Sequence, residues 1–497
     1  MRNNEGNGTT GLGRRQELKN PVRALWVAAI ASVLAACAVG PDFHKPAFPT
    51  PDGAAPADFI AVDAQQFSPN ATEAEFWTSF NDPQLNDLIE TAFKANHDIR
   101  IAQSRLAEAR ALRGEKRLDL APTITASGGH TESRLSERQL PFPGVDRHQD
   151  YYDASFDASW ELDLFGRVRR GIEAQSAQVN ASIAGVEDAE VSVTAEVARS
   201  YFELRGAQHQ LDVARRNTDN QRSSLELTNA RLEAGRGTEL DTSRAQAQLS
   251  ATLATIPDLE AAVTRSILRL GVLTGQSPQA LIPSLSEPRP LPALPTTQPI
   301  GTPEALLRRR PDIRVAENQL AAATAQIGVA VGDLFPRISL VGSWGLDATN
   351  SADLGNGSSE TYSFGPSIRW AAFDLGRVRQ RIKQREAAAD GALARYEQTV
   401  LRALEETDAS MTDYVKSLAK QEHLRRSASA SANAAMLARA RFDNGAADFL
   451  TVLDAERTML EAEDRLARTE TETATSLLAM YKALGGGFRP VATQASR

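Results

Sequence analysis

Two stretches of this chain, residues 150–163 and 361–373, alternate polar and apolar side chains with period two. In the first, Tyr152, Ala154, Phe156, Ala158, Trp160 and Leu162 fall on one face, and Asp153, Ser155, Asp157, Ser159, Glu161 and Asp163 on the other. In the second, Tyr362, Phe364, Pro366, Ile368, Trp370 and Ala372 alternate with Ser363, Gly365, Ser367 and Arg369. Successive side chains of a strand point to opposite faces. An aromatic-rich apolar row backed by acids and serines suits lipid on one side and water on the other, as in a transmembrane β-barrel. Further strands near 122–132 and 336–348 bring the expected count to about four, whereas a barrel made from one chain needs about eight or more. Several chains must pool their strands.

The N-terminus points to a membrane independently. Arg14, Arg15, Lys19 and Arg23 precede an apolar run, Ala24 to Leu34, that is too short to span a bilayer, for which about 20 residues are needed. A basic segment, a short apolar core and small residues make a secretory signal, expected over residues 1–36. It ends in Leu34-Ala35-Ala36-Cys37, which resembles the lipobox of bacterial lipoproteins. That resemblance implies cleavage before Cys37 and acylation of its thiol and new amine. Cys37 is the only cysteine, so no internal disulfide can form. Ala38 follows it, not the aspartate that in this class favours retention at the inner membrane.

The 497 residues carry a formal net charge of −8, and the leader is basic, so the remainder is more acidic still. That balance argues against nucleic acid, which wants a basic patch. No apolar run reaches the length of a membrane-spanning helix.

The chain is internally duplicated. Trp160 and Gly166-Arg167-Val168-Arg169 recur 210 positions later as Trp370 and Gly376-Arg377-Val378-Arg379, and Arg231, Gly235 and Leu240 recur as Arg441, Gly445 and Leu450. Upstream the shift is 214: Asp98-Ile99-Arg100 returns as Asp312-Ile313-Arg314 and Pro122 as Pro336. Each half reads helix, strand, strand, long helix, tight turn, helix, and long-period self-similarity marks repeated structural units. Residues 76–276 form the first repeat and 303–485 the second. Between them, 277–302 is a proline-rich linker that forbids a continuous helix. Residues 37–75 are expected to run as an extended arm from the anchor, and 486–497 as an irregular tail.

In the first long helix Val179, Ile183, Val186, Val193, Val197, Leu204 and Leu211 recur at spacings of 3, 4 or 7, a coiled-coil-like seam. From Arg167 to about Arg231 the rod spans roughly 100 Å, and Gly376 to Phe442 gives a second of similar length. Each ends in a glycine turn at Gly235 or Gly445, glycine tolerating the left-handed conformation that stops a helix. Pro257 should bend the first returning helix, while Ala467 leaves the second free to run on. Catalysis finds no support: His44, His97, His130, His148, His209 and His423 are scattered, with no pair at metal-ligand spacing. No metal and no cofactor are expected.

The chain resembles the outer membrane efflux proteins of the TolC/NodT class, and most of all their OprM-like lipoprotein members. Cys37-Ala38-Val39-Gly40-Pro41-Asp42-Phe43, Phe76-Trp77, Asp82-Pro83, Leu85, Arg309-Arg310-Pro311-Asp312-Ile313 and Tyr481-Lys482-Ala483-Leu484-Gly485-Gly486-Gly487 carry the resemblance, in order and over essentially all of the mature chain. It implies a mixed α and β membrane protein: a homotrimeric transmembrane β-barrel, four strands per chain, continued by a long α-helical periplasmic tunnel. It implies an outer membrane location, a periplasmic adaptor (membrane fusion) protein and an inner-membrane efflux pump as partners, and passive conduction of drugs or small solutes to the outside. The hairpin tips, with Arg231, Gly235, Arg441 and Gly445, would meet the adaptor. The matching gate residues are Leu450, Asp454 and Arg457, whose spacing puts them on one helix face. TolC itself has a second aspartate three residues before this one, where Thr451 stands here. The same tunnel serving metal-ion efflux or type I protein secretion is the alternative. A lipid-anchored periplasmic coiled-coil protein is a more distant one, and the alternating strands speak against it.

Overall fold

The computed structural model describes residues 38–49, 56, 58–60, 66–70, 73–139, 142, 144 and 146–489. Cys37, with the leader, and the last eight residues lie outside the described residues. The chain divides into two compact units. One holds residues 117–171 and 325–383 with 38–41, and the other holds the described parts of 42–116, 172–324 and 384–489.

The first unit is built on four strands, β1 (Thr123–Arg134), β2 (His148–Leu162), β3 (Arg337–Ala348) and β4 (Glu360–Arg369). They form one antiparallel sheet in chain order. Its register sorts the faces. Ala126, Phe156, Trp344 and Tyr362 stand in one row across the sheet, and the next row along β2 on the other face is Thr125, Asp157, Ser343 and Ser363. On the apolar face Phe156, Trp344, Tyr362, Phe364 and Ile368 are all exposed, which a surface in water would not gather into one patch. On the polar face the Ser343 and Ser363 hydroxyls meet at 2.8 Å, and the Ser155 hydroxyl donates to Asp157 at 3.0 Å. The outer edges of β1 and β4 have no strand beside them among the described residues. Such edges expose unpaired N–H and C=O groups and need a partner.

The fourth strand is shorter than its alternation suggests. It ends at Arg369 rather than 373, because the chain turns at Ala371, where the Asp374 N–H donates to the Ala371 carbonyl at 2.9 Å. Trp370 leaves the ladder and its indole N–H donates to the Leu334 carbonyl at 3.0 Å, as Trp160 does to Leu120 at 2.9 Å. The two bonds are repeat-related.

The second unit is mainly helical, with one short parallel pairing of Phe67–Ser68 with Gln298–Pro299. Helices α1 (Pro83–Ala95) and α2 (His97–Leu118) precede the first pair of strands, and the long α3 (Arg167–Glu233) follows it. The seam residues Val179, Val186, Val193, Val197, Leu204 and Leu211 are buried, and Ile183 is half-buried. The first returning segment is two helices, α4 (Glu239–Leu253) and α5 (Ile256–Leu273). The break falls where Pro257 has no N–H to give the carbonyl of Leu253 and its ring crowds that carbonyl. After α6 (Pro303–Arg309) and α7 (Pro311–Gly332), the second half has α8 (Leu375–Asp443) and α9 (Phe449–Ala483). With Ala467 where the first half has Pro257, α9 runs unbroken.

The main core joins the beginning of the chain to its last helix. Phe76 stacks on Tyr481 with ring centroids 4.7 Å apart, and Trp77, Phe80, Leu85 and Phe202 pack around them. Asp82 caps α1, accepting from the N–H groups of Gln84 (2.9 Å) and Leu85 (3.1 Å), and it also accepts from the Tyr201 hydroxyl at 2.7 Å. Burial and the bond to Asp82 push the Tyr201 hydroxyl up to about 12. Arg310 donates to the Ala483 carbonyl at 2.7 Å and pairs with Asp312 and Glu406, both at 2.8 Å. Phe76, Trp77, Asp82, Leu85, Arg310 and Tyr481, all motif residues of the resemblance, thus build this core and its caps.

Candidate functional site

The hairpin tips are the same backbone construction made twice. At the first, Gly235 has φ +69° and its N–H donates to the Leu232 carbonyl at 2.9 Å, while Arg236 donates to Arg231 at 2.8 Å. At the second, Gly445 has φ +73°, its N–H donates to Phe442 at 2.9 Å, and Ala446 donates to Arg441 at 2.8 Å. The paired bonds are those of a Schellman motif, which only a residue tolerating the left-handed region closes without strain. Both returning helices carry side-chain caps at equivalent positions. Thr238 forms a reciprocal capping box with Asp241, and the Asp448 carboxylate accepts from the Thr451 N–H (2.9 Å) and hydroxyl (2.6 Å). Those bonds hold the Asp448 carboxyl below its ordinary range. Thr451 therefore serves the cap.

From that cap α9 presents Leu450, Asp454 and Arg457 on one face. Arg457 Nη2 donates to Asp454 Oδ1 at 2.8 Å, and both side chains are more than half exposed. Asp454, ahead of Glu461, raises the Arg457 guanidinium above its usual value. Leu450 is 48% exposed. The equivalent face of the first hairpin has Leu240, also exposed, but Arg244 and Ala247 where the second has the acid and the base. The charged pair belongs to one hairpin only.

A second cluster was not visible in the sequence. Ser224 on α3 donates to both carboxylate oxygens of Glu456 on α9 (3.0 and 3.2 Å), and Arg439 on α8 bonds Ser224 (2.8 Å) and Glu456 (3.3 Å). It ties three helices just above the tips. Burial pushes the Glu456 carboxyl up against the opposing pull of Ser224 and Arg439. Its members are 17 and more than 200 residues apart, so no spacing announces it. Beside it Arg231 lies over the Phe442 ring, its Cζ 3.7 Å from the centroid, and donates to the Phe442 carbonyl at 3.2 Å. Arg441, its counterpart, is exposed, and its guanidinium donates within its own turn, to the Ala446 carbonyl at 3.5 Å.

In the sheet unit, the residues after Cys37 are anchored. Val39 N–H donates to the Phe165 carbonyl at 3.1 Å, and Arg170 donates to the carbonyls of Val39 (3.2 Å) and Gly40 (3.3 Å). A Cβ at Gly40 would fall 2.4 Å from the Cα of Gly328, so this approach requires glycine. Phe165 stacks on Phe335 at 4.6 Å, at the end of the sheet where β2 stops and β3 begins.

A lipid-compatible sheet with open edges and paired helical hairpins narrows the choice of family, and comparison decides it. The family model described as "Outer membrane efflux protein" matches residues 88–276 and 302–486. The chain belongs to the outer membrane efflux protein family. It is 29% identical to Nodulation protein T of Rhizobium leguminosarum bv. trifolii, over 93% of this chain and 96% of that one. It is 30% identical to the solvent efflux pump outer membrane protein SrpC of Pseudomonas putida, over 92% and 96%. The solved outer-membrane channel OprN superposes with a TM-score of 0.84 at 43% identity, covering 91% of this chain and all of that one. This outer membrane efflux protein is the outer membrane channel of an efflux system, with the fold of the trimeric channels: a transmembrane β-barrel continued by an α-helical tunnel. Four strands per chain give such a barrel about 12, within the range these barrels show.

Proposed function

We propose that three copies, docked through their tips onto a periplasmic adaptor and an inner-membrane pump, conduct drugs or other small solutes passively from the periplasm to the outside. A relative named for solvent efflux supports small cargo. The adaptor is placed on the turns at Gly235 and Gly445, with Arg231 and Arg441 behind them. The channel is lipid-anchored through Cys37. The docking of Val39 and Gly40 beside Phe165 supports this, since it holds described residues that closely follow Cys37 in the chain at the end of the apolar sheet.

The observation that carries the gating part is the Asp454–Arg457 pair beside half-exposed Leu450. Three carboxylates around a narrow axis repel unless paired, and Arg457 supplies the pairing. Removing one partner leaves like charges facing one another, while Leu450 acts as an apolar plug. Asp454→Ala and Arg457→Ala should each raise single-channel conductance in planar bilayers, and Leu450→Ala should add to the increase. Leu240→Ala and Arg244→Ala should have less effect. Unchanged conductance in all three second-hairpin variants, with trimers intact, would place the constriction elsewhere.

A further inference from the structure

The two hairpins share one tip architecture, and where they meet within the chain each covers one side face of the other. On the first hairpin, Ser224, Thr228 and Arg231 form a stripe along α3 that the second hairpin occupies: Glu456 and Arg439 meet Ser224, Phe442 lies under Arg231, and half-buried Leu227 joins the core around Phe442, Phe449 and Val452. The 210-residue shift turns that stripe into Ala434, Leu437, Ala438 and Arg441 on α8. There Ala434, Leu437 and Arg441 are exposed, while Ala438 is buried in the core with Phe442, Phe449 and Val452. Those four residues line a cavity of about 780 Å³ shared with Leu450 and Asp454, and Leu437 is 54% exposed.

What covers the first stripe has its own counterparts. Phe442, Arg439 and Glu456 become Leu232, Asn229 and Gln246, and all three are exposed on the first hairpin. The chain therefore holds both halves of a joint that it cannot close on itself. We propose that a second copy of the chain closes it: the Arg441 guanidinium of one protomer lies over Leu232 of its neighbour and donates to the neighbour's Leu232 carbonyl, as Arg231 does to Phe442 within the chain. This rests on the trimeric channel reading and adds to it the residues that join one protomer's tip to the next.

The two seams differ in chemistry. Within a protomer the joint has an aromatic ring under the arginine and the buried Ser224–Arg439–Glu456 cluster. Between protomers leucine replaces the ring, and alanine and two neutral amides replace the cluster. An arginine over an aromatic face gains a cation–π attraction that leucine cannot supply. The joint between protomers is the weaker, and Arg441 is its main polar tie.

The test is chemical cross-linking of full-length channel in membranes with a short bismaleimide. A Leu232→Cys, Arg441→Cys double variant should run on denaturing gels as covalent dimers and trimers. An Arg231→Cys, Phe442→Cys variant, bridging the seam inside the chain, should stay monomeric under the same treatment. Native gels run in parallel separate the two readings. Absence of trimers would overturn the trimeric reading and the joint with it, whereas native trimers without cross-links between positions 232 and 441 would overturn the joint alone. As a second measurement, Arg441→Ala should lower amide protection over residues 226–240, on the other hairpin, with Arg441→Lys restoring part of it. If that protection stays unchanged and residue 441 cross-links only to added adaptor, the face is an adaptor seat and the proposal fails.

Discussion

Replacing Glu456 with alanine tests whether the buried cluster clamps the hairpins together. The carboxylate accepts the Ser224 hydroxyl proton, shared between its two oxygens, and one bond from Arg439, with its side chain only 10% exposed. Breaking a buried pair from one side costs about 3–5 kcal/mol, and an exposed pair is worth at most about 1. The remaining Arg439 is 33% exposed, so water takes up part of its charge. The cost should fall between those limits, at about 2 kcal/mol, which is roughly a 30-fold increase in tip opening. Hydrogen exchange read by mass spectrometry over residues 220–235 and 436–458 measures that opening directly. Glu456→Gln, which keeps the acceptor without the charge, should open less. It should also remove a pH dependence. Because burial raises this carboxyl in the folded protein, the fold holds its proton more tightly than the unfolded chain does. Its contribution is therefore complete below about pH 4.5 and declines as pH rises through the raised value. Unchanged protection at both tips in Glu456→Ala, with trimers intact, would refute the clamp.

Other outcomes follow from the same geometry. Cys37→Ser should abolish labelling with radioactive fatty acid and leave precursor uncleaved, and labelling that survives would end the lipobox reading. Phe142→Cys and Gly355→Cys, on the loops between paired strands, should react with an impermeant thiol reagent on intact cells, whereas Asn444→Cys at the second tip should not; the reverse pattern would invert the topology. Phe142 is preferred to neighbouring Gly144, whose φ of +93° a cysteine would strain. Asp448 has its carboxyl lowered by the Thr451 bonds, so its cap contributes above about pH 4 and is lost as pH falls below that. Protection of residues 449–453 should drop over that range in the native protein and lose this pH dependence in Asp448→Asn, and a flat profile in the native protein would refute the cap's role.

Sequence alone determined the features that depend on near neighbours along the chain. The alternation around Phe156 and Phe364 placed the apolar and polar faces because a strand's side chains alternate whatever it pairs with. Gly235 and Gly445 marked the helix ends, and Pro257 the break after Leu253, because backbone torsions and a missing N–H act locally. The duplication was legible as repeated residues. Tertiary structure decided which strands pair and in what register, and it ended the fourth strand at Arg369 despite the continuing alternation. It also gave the motif residues Asp82 and Arg310 their work as cap and clasp, brought Ser224, Arg439 and Glu456 together, and laid Arg231 on Phe442 while leaving Arg441 open. These contacts join residues that can be more than 200 positions apart. Their geometry follows from how two long hairpins pack, a property of the assembled helices that no short window of sequence contains.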